Sequence, residues 1–96
     1  MLCAIIGRDA PNSREPRRAA HAAHMARLHE MTATGRIVTA GPLLSADGAT
    51  PTGSLIVADF ASLDAARAWF AEDPFVVAGV YAEVTVQAYR QVLPAP

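Results

Sequence analysis

Within a chain of 96 residues, the side chains able to move a proton near neutral pH are three histidines and a few well-placed acids. His21 and His24 stand three apart, a spacing that puts both imidazoles on one face of a helix. A neutral imidazole whose other nitrogen is held by a carboxylate can take a proton near neutral pH, which makes His24 a candidate general base. On spacing alone it reads more readily as a hydrogen-bonded core histidine, because it shares a stripe with Leu28 and Met31. Asp73 is the candidate carboxylate. It falls beside the negative end of a predicted helix, a position unfavourable by about 0.3–1 kcal/mol unless a cation or donor compensates. A partner such as His24 or an arginine accounts for it, and so does the habit of Asp before Pro to form turns.

Other chemistries find less support. His21 and His24 could share a metal, yet no Cys, Asp or Glu stands at a spacing that completes a site, so neither metal nor cofactor is expected. Cys3 lies in an apolar segment with nothing nearby in sequence to lower its pKa, and reads as a small buried hydrophobe. His29 belongs to the opposite helix face and reads as solvated. There is no Gly-rich phosphate cradle and no nucleophile elbow. Ser45 and Asp47 could give polar contacts to a ligand, or simply build a turn at Asp47-Gly48. Phe75, with Trp69 and Phe70, could wall a site for a flat molecule, or belong to the core or a subunit contact.

Composition narrows the classes of partner. The chain is 52% hydrophobic and 18% charged with a formal net charge of −1, the balance of a globular domain rather than a disordered one. Every basic residue is an arginine, and the only close grouping is Arg14, Arg17 and Arg18, so no basic stripe exists to neutralise a nucleic-acid backbone. No apolar run approaches the ~20 residues of a membrane helix. A single cysteine and a start without a basic leader point to the cytoplasm. One domain, residues 1–96, is expected.

The elements that must position these residues follow from pattern and punctuation. Leu2–Gly7 reads as a strand ended by Asp9-Ala10-Pro11-Asn12. A helix starts between Ser13, a possible cap, and Pro16, and ends at Gly35; Arg17, Ala20, His21, His24, Leu28 and Met31 form the face turned to the sheet. Arg36–Ala40 and Ser54–Phe60 read as two more strands, joined by a long connection from Gly41 to Gly53. Ser62 caps a second helix that Pro74 stops. After a turn at Ala78-Gly79, Val80–Tyr89 alternates like a last, half-exposed strand.

The order β-α-β-β-α-β defines an α+β, ferredoxin-like fold with a four-stranded antiparallel sheet and two helices on one face. The other face is left bare, and strands 1 and 3 are apolar on both sides: Leu2, Ala4 and Ile6 oppose Cys3 and Ile5, and Leu55 and Val57 oppose Ile56 and Ala58. A second copy packed sheet to sheet is the physical answer, so a homodimer is predicted.

Ala22–Leu28, Gly35–Leu43 with its Gly41-Pro42, Thr52-Gly53-Ser54, Ser62–Trp69 and Asp73–Tyr81 with its Asp-Pro-Phe together resemble the YciI-like (YCII-related) family over nearly the whole chain. The resemblance implies a dimeric α/β barrel with a His-Asp acid/base site, and a relative that removes chloride from a hydroxylated aromatic ring. Carried over, the histidine falls on His24 and the aspartate on Asp73. The position three before the histidine, often Arg in the family, is His21 here, which holds an anionic group only when protonated. The resemblance favours the base over the core histidine. One geometric obstacle stands: the two helices run roughly parallel, and His24 is about 16 Å from the end of its own helix. A fold-back of Pro74–Gly79, or a second subunit, must close that gap.

Two functions remain in play. One is a cofactor-independent, dehydrochlorinase-like enzyme on a small hydroxylated or aromatic molecule, with His24 moving the proton, Asp73 orienting it, and His21, Ser45, Asp47 and Phe75 as substrate contacts. The other is a small-molecule binding or accessory dimer that uses the same pocket without catalysis.

Overall fold

A computed structural model describes residues 1–96, with elements β1 (Leu2–Asp9), α1 (Arg14–Ala33), β2 (Ile37–Leu44), β3 (Pro51–Asp59), α2 (Leu63–Ala71), α3 (Pro74–Val77) and β4 (Tyr81–Ala88). The strands form one antiparallel sheet in the order β2-β3-β1-β4, the ferredoxin-like arrangement expected from the order of elements. No helix is long and apolar enough to cross a membrane.

Register sorts the strands into two faces. Cys3, Ile5 and Gly7 of β1 pair with Ala58, Ile56 and Ser54 of β3, and Cys3, Ile5, Ile56 and Ala58 form the core with Leu28, Met31, Phe60, Ala66 and Phe70. Burying a large apolar side chain here contributes about 1.5–3 kcal/mol. Alternation turns Ala4, Ile6, Leu55 and Val57 to the other face, flanked on β4 by Thr85 and Gln87, which pair with Ile6 and Ala4. That face has an apolar centre and a polar margin, and no helix of the chain covers it.

Several boundaries differ from those the sequence predicts, each for a local reason. β2 and β3 run on to Leu44 and back to Pro51, so the connection is the short segment 45–50 rather than 41–53. Pro42 is tolerated because β2 is an edge strand, where a missing N–H costs no ladder bond on the open side. α1 starts after Ser13, whose side chain makes no cap bond; its carbonyl accepts from Arg17 N at 2.9 Å instead. α2 has the expected cap, with Ser62 Oγ accepting from Ala65 N at 3.0 Å.

The segment after Asp73 is a helical turn rather than a plain loop. Pro74 takes the first helical position, which suits its fixed φ and missing N–H. The turn ends at Gly79, whose φ of +73° favours glycine. This short α3 doubles the chain back from the end of α2 against the middle of α1.

Candidate active site

α1 links the codirectional strands β1 and β2, and α2 links β3 and β4, which run the other way. The two helices are therefore antiparallel rather than parallel as expected, and the fold-back of α3 carries Asp73 to the middle of α1. Asp73, fully buried, caps α3 by accepting from Phe75 N at 2.9 Å. The same carboxylate meets His24 of α1: Nδ1 lies 2.8 Å from Oδ1 and 3.0 Å from Oδ2. A carboxylate oxygen only accepts here, so Nδ1 carries the proton and Nε2, at the far side of the ring, keeps its lone pair in the neutral imidazole. The ring is otherwise held by Phe75, stacked on it at 3.9 Å between centroids with a 12° tilt. Nε2 has no hydrogen-bond partner in the protein, and His24 lines a groove of about 1110 Å³ between α1 and the β2–β3 side of the sheet. A lone pair held in place at a groove is what a general base requires.

Two arginines of α1 buttress this arrangement. Arg17 lies over the Phe75 ring, with its guanidinium carbon 4.8 Å from the ring centre. It forms a two-pronged pair with Asp9 at 3.0 and 3.1 Å and donates to Gly53 O at 2.9 Å and Ser54 Oγ at 3.1 Å. Arg27 donates to Trp69 O at 2.9 Å, stacks on the Trp69 ring at 4.4 Å, and brings Nη1 to 3.7 Å from Asp73 Oδ2. Next to Arg17, Tyr81 donates to Ser54 Oγ at 2.7 Å. Burial pushes the Tyr81 hydroxyl up to about 12, against a smaller opposing effect of the Ser54 bond.

The groove has two characters. Met25, Leu28, Ile37 and Ile56 line its apolar length, and His24, His21, Arg17 and Ser54 line its polar end. His21, expected on the face turned to the sheet, is exposed at the rim. Phe75 lines the groove beside the imidazole. Ser45 and Asp47 do not reach it, which corrects their expected place among ligand contacts. Ser45 Oγ donates to Asp47 Oδ1 at 2.6 Å and Ala49 N donates to the same oxygen at 3.0 Å, so the two residues satisfy each other in the hairpin turn. Those two bonds hold the Asp47 carboxyl below its usual range. Cys3 is fully buried in the core. No three His, Cys, Asp or Glu side chains converge on a common point.

Arg17, Arg27, Ser54 and Tyr81 are the members that the sequence alone does not single out. Apart from the Arg17–Asp9 pair, their hydrogen-bond partners lie 27 to 42 residues away along the chain, and only Asp73-Pro74, a cap followed by proline, carries a local signal of what it builds.

A four-stranded antiparallel sheet in this order with the helices on one face defines the ferredoxin-like α+β class. The YCII-related domain matches residues 1–90, and the chain belongs to that family. It is 42% identical over 97 residues to Protein YciI of Escherichia coli and to an uncharacterized protein of Haemophilus influenzae, in each case covering 96% of this chain and 99% of the relative. Among solved structures it is similar to a 5-chloro-2-hydroxyhydroquinone dehydrochlorinase from Burkholderia phenoliruptrix in complex with 2,5-dihydroxybenzoquinone, with a TM-score of 0.84, 33% identity and 94% of both chains covered. A Mycobacterium tuberculosis protein with a TM-score of 0.54 and 16% identity, covering 97% of this chain and 99% of its own, shares the fold alone.

Proposed function

We propose that this protein is a cofactor-independent acid–base enzyme acting on a small hydroxylated ring compound, in the cytoplasm and as a homodimer. The observation that carries the reading is the buried Asp73 carboxylate on Nδ1 of His24, which leaves Nε2 free at the groove. On a chlorinated, hydroxylated ring the step is elimination of HCl. The reacting form is the keto tautomer, in which one hydroxyl proton has moved to the chlorine-bearing carbon. Nε2 accepts the proton of a remaining hydroxyl, that O–H pair becomes a C=O bond, the ring double bond shifts onto the chlorine-bearing carbon, and chloride leaves with the C–Cl pair, giving a hydroxyquinone. Asp73 stabilises the imidazolium that forms, and the stacked Phe75 keeps the ring from turning. The dehydrochlorinase similarity supports this class of substrate. The homodimer is supported by the apolar centre of the uncovered sheet face, where Ala4, Ile6, Leu55 and Val57 meet.

The test is chloride release from 5-chloro-2-hydroxyhydroquinone by the wild type and by His24→Asn. Turnover is expected to disappear in the variant while its melting temperature stays close to that of the wild type; undiminished turnover rejects the assignment. A second reading, a binding or accessory protein without chemistry, is favoured by the openness of the groove, whose rim residue His21 is exposed. It predicts thermal stabilisation of the wild type by 2,5-dihydroxybenzoquinone and no product from any chlorinated ring.

A further inference from the structure

We infer that the Ser54 hydroxyl is a hydrogen-bond donor reserved for an oxygen atom of the ligand, so that the groove takes molecules presenting a carbonyl, enolate or phenolate oxygen to β3. This deepens the acid–base reading of the site and rests on it for the identity of the reacting molecule.

The argument begins at Gly7. A Cβ on this residue would lie 2.6 Å from Cε1 of Tyr81, so only the absence of a side chain lets the Tyr81 ring lie across β1. Ser54 is the partner of Gly7 on β3, and the hydroxyl of Tyr81 reaches it and donates to Oγ at 2.7 Å. Arg17 Nη2 donates to the same Oγ at 3.1 Å. A serine hydroxyl has two acceptor sites and one proton. Both acceptor sites are now taken, and the proton has no acceptor among the protein atoms. Reversing the Tyr81–Ser54 bond only passes the surplus proton to Tyr81, whose hydroxyl has no other partner either. The cluster is one acceptor short, and of the two hydroxyls Ser54 is the one that lines the groove, at 4% exposure.

A buried donor left unpaired is unfavourable, and a ligand oxygen removes that penalty. Receiving bonds from a hydroxyl and a guanidinium polarises the Ser54 O–H and strengthens it as a donor. The bond gains most when the accepting oxygen acquires negative charge, which happens as His24 takes a proton from the same molecule. Ser54 and His24 are thus complementary: one removes the proton and the other receives the charge.

The probe is 2,5-dihydroxybenzoquinone, followed by its visible absorbance in titrations of wild type, Ser54→Ala, Ser54→Thr and His24→Asn. Ser54→Ala is expected to bind about 10- to 100-fold more weakly, the range for a hydrogen bond to a charged group. Ser54→Thr, which keeps the hydroxyl, should bind within a few-fold of wild type. Should Ser54→Ala not fold, Ser54→Cys, with its weak donor, should show the same loss. Wild-type affinity in a folded Ser54→Ala or Ser54→Cys overturns the inference, as does failure of the wild type to bind the probe at millimolar concentration. Weakened binding by Ser54→Ala in a protein that turns nothing over leaves the donor standing and removes the enzyme. Loss of turnover in His24→Asn with undiminished binding by Ser54→Ala does the reverse.

Discussion

The guanidinium of Arg27 comes within 3.7 Å of the Asp73 carboxylate, yet its only hydrogen bond goes to the carbonyl of Trp69. Its Nη1 is buried without a partner. Arg27 therefore acts on Asp73 as a nearby charge while its fork ties α1 to the last turn of α2, where helix carbonyls carry partial negative charge. Removing the charge leaves a fully buried carboxylate with only the imidazole and the Phe75 N–H for compensation. Arg27→Met should lower the unfolding free energy by about 1–3 kcal/mol, less than for a directly bonded buried pair. Arg27→Lys should recover little, since an ammonium cannot bond the carbonyl and stack on Trp69 as the planar group does. Urea denaturation of the three proteins measures this.

Asp73 has two separable duties, the cap of α3 and the hold on His24. Asp73→Asn keeps an oxygen for the Phe75 N–H and should cost about 1 kcal/mol or less in stability, whereas Asp73→Ala loses the cap and strands the imidazole N–H, about 2–3 kcal/mol. Activity should fall in both, by roughly a hundredfold or more, since neither supplies a negative charge to the imidazolium. Equal stability losses, or an active Asp73→Asn, would contradict the division.

Tyr81 gives an alkaline signature. In Tyr89→Phe, which leaves Tyr81 as the sole tyrosine, the phenolate absorbance should appear with a midpoint near 12 rather than 10. A group whose folded pKa is raised stabilises the fold fully below the unfolded value and loses that contribution as pH rises through the folded one. The window is therefore about pH 10 to 12, and Tyr81→Phe should flatten the fall in stability across it. A midpoint at 10 would mean that the hydroxyl is not enclosed against Ser54.

The uncovered sheet face is where the proposed homodimer would close. Sedimentation of the wild type should give a dimer at micromolar concentration. Ile6→Arg, at the apolar centre of that face, should give a monomer with a lower melting temperature. A wild-type monomer would remove the homodimer from the proposal.

Much of the frame is legible in the sequence because it is written locally. Strand alternation, the Ser62 cap and Gly35 each act within a few residues, and together they order the elements correctly. β2 and β3 are underestimated because Gly41-Pro42 reads as a stop; only the edge position of β2 makes proline acceptable there. The candidate site is legible at His24 and Asp73 through the family motifs. The contact between them was hidden in the direction of α3, which no periodicity specifies in four residues. Ser45 and Asp47 misled because a polar pair in a loop has the same appearance whether it faces a ligand or itself. Arg17, Ser54 and Tyr81 assemble only when three strands and a helix are in register.

The missing side chain at Gly7, whose place the Tyr81 ring takes, means that the groove can be damaged from a residue that does not line it. An alanine at this position in the strand would push the phenol off Ser54, releasing its hydroxyl to turn away from the ligand. A screen of groove-lining side chains would never find that lesion, and a variant carrying it would keep the histidine, the aspartate and every visible ligand contact.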